Sequence, residues 1–279
     1  MKPKGKIPKS IRNRTPEHTK VLNLVRRYQS FVKMATGIAN SIHAMGRDGL
    51  VNPDAIEELM EDTRKPYRKQ ADLTIKDAFK LVKDMPIYTQ WLKHVDGVGE
   101  NLATQFIALI QPISDFDTVS KLWAYAGLAV FDGHAQRRVK GKKSNWNPEL
   151  KRLCYQLGDC FVKQGTFYRT VYDNYKARDK AAHPKVVPVP GSDSGLYTPG
   201  HMQARAIRYA AKMFLSHLWL AWREIENLPI RDPYPVEKMN HSTVISPWAA
   251  IDPKPVAKKK TKAKAKTTTK TTRKAAKKA

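Results

Sequence analysis

The sequence predicts an all-α fold: a helical bundle with an embedded helix-hairpin-helix, preceded by a long coiled-coil-like helix and followed by a disordered basic tail. Three observations carry that prediction. Apolar residues recur three and four apart over long stretches, as on one face of a helix. Helix starts are written into Thr15-Pro16-Glu17, Asn52-Pro53-Asp54 and Asn147-Pro148-Glu149, each pairing a capping residue with a proline at the first helical position. No stretch shows the strict alternation of a half-buried strand.

Residues 1–15, MKPKGKIPKSIRNRT, are basic and hold two prolines. They predict a disordered arm, or a segment lying along a phosphate backbone. From Pro16 a stripe of Val21, Leu24, Val25, Tyr28, Phe31, Val32, Ala35, Ile38, Ala39 and Ile42 keeps helical spacing to about Met45, where Gly46 and Gly49 break it. A helix this long predicts a coiled coil or a rod spanning two lobes, and offers a homodimer contact through residues 16–45. A second helix starts at Asn52-Pro53, and a third is expected from Leu73 to Lys83. Residues 16–84 thus read as a helical connector. Their acids, Glu57, Glu58, Glu61, Asp62, Asp72, Asp77 and Asp84, fall on helical stretches and read as solvated faces.

The next unit, residues 85–228, opens on HVDGVGENLATQFIALI, His94 to Ile110. Pro86 can start a helix carrying Ile87, Trp91 and Val95, and after the turn Leu102, Ala103, Phe106, Ile107 and Ile110 form a stripe that stops at Pro112. Between them, Gly97 and Gly99 permit positive φ and close backbone approach. The turn leads into a helix N-terminus, whose free N–H groups favour a phosphate. This is the form of a helix-hairpin-helix, and Gly97, Val98 and Gly99 are its candidate DNA-binding residues. A tight turn joining two packed helices fits the same residues.

Farther on, Asp117 or Thr118 can cap a helix holding Val119, Leu122, Trp123 and Ala126, closed by Gly127. Trp123, Tyr125 and Leu128 read as core. Residues 130–146 lack helical periodicity and carry Arg137, Arg138, Lys140, Lys142 and Lys143, candidate phosphate ligands or simply a solvated loop. Asp132 and His134 there could form a carboxylate–imidazole pair, or be two polar residues of a turn. The helix from Asn147-Pro148-Glu149 turns Leu150, Leu153, Cys154, Leu157 and Phe161 inward. Residues 183–200 are a Pro/Gly-rich excursion flanked by His183 and His201. A last helix, His201 to about Asn227, carries Ala204, Ile207, Ala211, Phe214, Leu215, Leu218 and Trp222. Residues 229–279 form a proline-rich linker and a lysine-rich tail.

Charge narrows the function. The 279 residues carry 51 Lys and Arg against 25 Asp and Glu, a net +26. Eleven of the cations lie in residues 258–279, which hold no acid, so residues 1–257 keep 40 against 25, a net +15. Nucleic-acid phosphate is the natural partner of such a surface, and each neutralised phosphate contributes about 0.9 to the salt slope. No run reaches the roughly 18 apolar residues of a membrane span, so no membrane partner is expected. No apolar core follows the basic N-terminus, so a secretory signal is not expected either. Only Cys154 and Cys160 are present, which argues against a disulfide scaffold and fits a reducing cytoplasm. The eight scattered histidines give no metal-ligand spacing, and no cofactor is expected.

Four segments in order carry a resemblance to a known family: GVGENLATQFIALI, SDFDTVSKLWAYAGLA, a basic loop, and KSNWNPELKRLCYQLG. Together they resemble the C-terminal domain of the DEDD-type, bridge-RNA-guided insertion-sequence transposases, which holds a serine nucleophile. Gly97 and Gly99 match that domain's hairpin, and Ala124-Tyr125-Ala126-Gly127-Leu128 its second element. Lys143-Ser144-Asn145-Trp146-Asn147 looks like a drifted third element, and Ala204 to Trp219 is similar to the closing helix. The specific match covers about residues 94–175, and more loosely 201–223. The resemblance implies DNA transposition or recombination, with DNA as partner, structured RNA as an alternative, and a nucleoid-associated protein of a prokaryote or phage.

Two departures qualify what the resemblance implies. The family's N-terminal RNase H-like domain, whose separated acids hold metal, finds no β-run in residues 1–84. In place of the family's nucleophilic Ser-Gly pair, residues 130–137 read VFDGHAQR. Only Ser144 remains in the loop as a catalytic candidate, with neighbouring cations able to stabilise a transferring phosphoryl group. The expected function is therefore transposase-family binding of the duplex backbone without the full catalytic apparatus. The alternatives are a serine-type strand-transfer enzyme using Ser144 or a partner-supplied site, which would require Mg²⁺, and a component that binds structured RNA.

Overall fold

The computed structural model describes residues 13–131, 134–136, 138–184, 197–230 and 245–251, and over these the chain is an all-α bundle. Most of the predicted basic arm, the centre of the 183–200 excursion and the lysine tail lie outside the described residues, as do Asp132, Gly133 and Arg137.

Helix α1 (Pro16–Arg47) starts as predicted, on a capping box. The Thr15 hydroxyl accepts the His18 N–H, and the His18 imidazole accepts the Thr15 N–H, a histidine standing where glutamate or glutamine is usual. Helix α2 (Pro53–Leu59) is capped by Asn52 and passes through one π-helical turn (Met60–Arg64) directly into α3 (Lys65–Lys80). The third helix therefore begins well before Leu73. Residues 60–70 are largely exposed, so no apolar stripe announces them. The wide turn sits just before Pro66, whose ring and missing N–H disrupt ordinary helical bonding.

The α1 and α3 helices run antiparallel. Gly46, at the end of α1, lies under Ile56 of α2, while Val21 and Val25 share a core with Ile75, Ala78 and Val82. The same core takes in α5, α7 and α9, so the hairpin's open end is built into the bundle. The seven carboxylates of residues 57–84 are all exposed.

Next come α4 (Pro86–Gln90), a 3₁₀ turn (Leu92–His94), α5 (Glu100–Ile110) and α6 (Val119–Tyr125). A minimal antiparallel ladder, β1 (Val130–Phe131) with β2 (His134–Ala135), follows. The bundle closes with α7 (Pro148–Gln164), α8 (Phe167–Ala182) and α9 (Pro199–Ile225). Residues 102–110 of α5 are buried on every side, which makes α5 the central helix. Phe214 of α9 gathers Trp91, Phe106 and Phe161 at centroid distances of 5.1–5.7 Å. Close packing of α7 on α9 relies on Gly158, where a Cβ would come within 2.4 Å of Ile207.

Helix α8 is not legible in the sequence, because it buries only Tyr168, Tyr172 and Asp179 and leaves the rest in or near solvent. Within the region read as a proline-rich linker, residues 245–251 return to the bundle. The Trp91 indole N–H donates to the Pro247 carbonyl at 3.0 Å, and the Trp248 indole to Glu224 at 2.9 Å. No described helix is long and apolar enough to cross a membrane.

Candidate functional site

The loop after α6 and the start of α1 enclose a cleft of about 670 Å³. Its walls carry Arg14, Arg26, Arg138, Lys140, Lys142 and Lys143, with Glu149 as the single acidic side chain among the described residues. Ser144, Tyr125, Trp146 and Asn147 complete the lining. Two stretches about a hundred residues apart in sequence thus converge on one hollow with a large excess of positive charge. A second hollow of about 580 Å³ adjoins it, shares Arg14, and adds Lys20 and Arg27 from α1.

Each wall is held by identifiable bonds. Arg14 donates to the carbonyls of Ala108, Leu109 and Gln111 at 3.2–3.3 Å, so its charge closes the C-terminal end of α5. Burial lowers the Arg14 pKa, with the nearby Tyr125 opposing the shift. Asn147 caps α7 by accepting the N–H groups of Glu149 and Leu150 at 2.9 and 3.1 Å. Its amide donates to the Tyr125 hydroxyl at 2.8 Å, and its backbone N–H to the Tyr125 carbonyl at 2.8 Å. The Ala-Tyr-Ala-Gly-Leu element and the start of α7 are therefore locked together, and the positive end of the α7 dipole faces the cleft.

Thr118 caps α6, and Gly127 closes it at φ +70°. Trp146 lies over Gly127, and the Lys151 ammonium stands 4.7 Å from the Trp146 ring. Lys151 also donates to the Gln136 carbonyl at 2.7 Å, while Arg208 of α9 donates to the carbonyls of Leu128 and Ala129 at 3.0 Å. These two cations pin the root and the return of the loop. Burial lowers the Lys151 pKa, and the positive fields of Arg208 and Arg138 lower it further. An anion in the cleft would relieve that repulsion. Glu149 reaches Arg26 at 3.5 Å, a partly exposed pair of small energetic weight.

The glycine turn is elsewhere. Gly97 adopts φ +88°, but Gly99 is extended at φ −75° and serves as the N-cap of α5. The two glycines therefore do different things. A Cβ on Gly97 would meet Phe161 at 3.1 Å and Gln164 at 3.4 Å, whereas one on Gly99 would meet nothing. Val98 is buried, at 6% exposure. The turn leans on the C-terminal end of α7 and the cleft opens at its N-terminal end. The length of α7, about 24 Å at 1.5 Å per residue, separates them. Exposed Asp96 and Glu100 flank the turn and put negative charge beside the free N–H groups of α5.

The structure thus brings Ser144, Arg138, Lys140, Lys142 and Lys143 together and leaves Gly97, Val98 and Gly99 apart from them. Arg137 lies outside the described residues. Arg14 and Arg26 are cleft residues, although the sequence pattern places one in a basic arm and the other on a dimer helix. One signal could have found the second hollow: Lys20 and Arg27 stand seven residues apart, on one helical face of α1 away from the apolar stripe. His183 and His201 both approach Tyr197, at ring-centroid distances of 4.2 and 5.9 Å.

Residues 89–167 match the model of the Transposase IS116/IS110/IS902 family. That segment runs from the end of α4 through the glycine turn, α5, α6, the cleft loop and α7. No curated protein matches the chain. Over these residues the chain is related to transposases.

Proposed function

We propose that this chain is a transposase-related protein that grips the phosphate backbone of duplex DNA in the cleft between α1 and the 138–146 loop. One observation carries the reading: among the described residues, six cations from separated stretches converge with the N-terminus of α7 on a hollow that has one carboxylate. Phosphates are the ligand such a hollow fits, because backbone contact needs charge and oxygen acceptors but no base edge. The glycine turn, an α7 length away, supplies a second backbone contact on the same duplex. The lysine tail adds affinity that depends on charge alone.

Ser144 in the cleft supports a second reading, a strand-transfer enzyme. In that reaction the Ser144 oxygen would attack phosphorus, and its proton would pass to the departing strand oxygen. The bond from phosphorus to one strand's 3′ or 5′ oxygen would break, and the cleft cations would stabilise charge on the phosphoryl oxygens. Among the described residues the hollow offers one carboxylate, Glu149, as a base for Ser144, and it faces Arg26 at 3.5 Å, which favours the binding reading.

The test is incubation of the protein with labelled supercoiled and linear duplex DNA, with and without Mg²⁺, and resolution of the products after denaturation. Salt-dependent binding with intact strands supports the binding protein. Nicked, rejoined or protein-linked DNA that vanishes in Ser144→Ala supports the enzyme. In the same assay Lys140→Ala/Lys142→Ala/Lys143→Ala should lower the salt slope by about 0.9 for each phosphate that the variant no longer neutralises. A slope equal to that of the unaltered protein would overturn the assignment of the cleft, and competition by folded RNA but not by duplex would move the reading to RNA.

A further inference from the structure

A second surface, on α8 and α9, also combines aromatic rings with cations. Tyr175 of α8 and Tyr209 of α9 stack with ring centroids 4.5 Å apart and planes inclined by 25°. The Arg178 guanidinium lies 5.1 Å from the first ring centroid and 5.8 Å from the second. About one helical turn along α9, Arg205 stands 5.2 Å from the Tyr197 ring, and His183 stacks on that ring at 4.2 Å and 9°.

Packing α8 on α9 accounts for only part of this arrangement. The buried contact is made by Tyr172 with Ala206, Ile207 and Ala210, and Tyr175 packs against its edge. Tyr175 and Tyr209 are only half-buried, and Arg178 is exposed. The nearby carboxylates are already engaged, Asp173 by Arg169 at 2.7 Å and Asp179 by Arg205 at 3.2 Å. Among the described residues Arg178 has no carboxylate partner. What remains is a positive surface of planar groups, two stacked rings with a guanidinium beside both of them.

We infer that the stacked Tyr175–Tyr209 pair, with Arg178 beside it, is a platform for unpaired nucleotides. Bases stack on tyrosine and arginine planes without regard to sequence, and the surrounding cations hold the backbone. A duplex keeps its bases in its own stack and cannot use such a platform. Arg208, one residue before Tyr209, is tied to Leu128 and Ala129 at the root of the cleft loop, so the platform stands behind the loop that forms the cleft. The platform does not depend on the cleft's assignment, because it is built from different residues.

The test is fluorescence anisotropy of the full chain with short labelled oligo(dT), oligo(rU) and a blunt duplex, for the unaltered protein and for Arg178→Ala, Tyr209→Leu and Tyr209→Phe. Arg178→Ala and Tyr209→Leu should each weaken single-strand binding about tenfold and leave duplex binding unchanged. Tyr209→Phe, which keeps the ring, should bind like the unaltered protein. Tighter binding of oligo(dT) or of oligo(rU) tells whether the strand is DNA or RNA. Arg178→Ala removes only an exposed side chain, so it decides the matter if Tyr209→Leu fails to fold. Single-strand binding untouched in Arg178→Ala, or an equal fall in duplex binding, would overturn the inference. Loss of duplex binding in the Lys140/Lys142/Lys143 variant with oligo(dT) binding intact would show that the two surfaces stand or fall separately.

Discussion

Trp146 occupies the space a side chain at Gly127 would need. A Cβ on Gly127 would lie 2.6 Å from Trp146 Cδ1 and 2.9 Å from the Lys151 side chain, and Gly127 itself holds φ +70°. One glycine thus ends α6 and seats the indole that supports the cleft loop.

Gly127→Ala should therefore cost about 1–2 kcal/mol for the left-handed backbone and about 1–3 kcal/mol more for displacing the indole. Urea unfolding measures the sum. Because the loop is displaced, duplex affinity should also fall. A variant as stable as the unaltered chain would show that Trp146 swings away freely.

At the hairpin the two glycines should respond differently. Gly97→Ala meets Phe161 and a φ of +88°, so it should lose about 1–2 kcal/mol of stability. Gly99→Ala has open space and an extended backbone, and should lose less than about 1 kcal/mol, the preference for glycine over alanine at an N-cap. Gly99→Ala is thus the cleaner probe of backbone approach to DNA. Unchanged duplex affinity in that variant would make the turn a structural joint only.

Asn147→Ala removes the cap of α7 and leaves the Tyr125 hydroxyl without its 2.8 Å donor. The expected loss is about 1–3 kcal/mol, read by denaturant unfolding. Asn147→Asp keeps the oxygen that accepts both N–H groups and should recover most of the cap. Failure of Asp to recover any stability would put the weight on the bond to Tyr125.

His217 makes the body sensitive to acid. It is 2% exposed, accepts or donates one bond of 2.9 Å with the Tyr168 hydroxyl, and burial pushes its pKa down to about 4, with the Ile245 backbone opposing. Between an ordinary histidine value near 6.5 and that value, the unfolded chain binds a proton that the folded chain does not. Stability therefore falls as pH drops through this window, by roughly 3 kcal/mol at its lower end, and is insensitive to this group above it. Unfolding free energies from pH 7 to pH 4.5 should show the slope, and His217→Gln should flatten it. An unchanged slope in that variant would assign the acid sensitivity to other groups.

Much of this molecule was determined by the sequence alone, because the controlling interactions are local. Thr15-Pro16, Asn52-Pro53 and Asn147-Pro148 start helices through bonds to residues two or three positions on, and the stripe from Leu150 to Phe161 buries as its spacing requires. The glycine turn and the all-α class were legible for the same reason. Helix α8 was not, because a helix that buries three side chains carries too little apolar period to be seen.

The cleft was decided only by tertiary structure. The run Arg138 to Lys143 marks a basic loop in any fold. Nothing local says that Arg14 will turn onto the carbonyls ending α5, or that the antiparallel α1 will carry Arg26 across from Glu149. Those contacts span about a hundred residues, and they exist because burying α5 on every side forces α1, α7 and α9 around it. The charge of the surface was written in the composition, whereas its concentration into one hollow is a product of core packing.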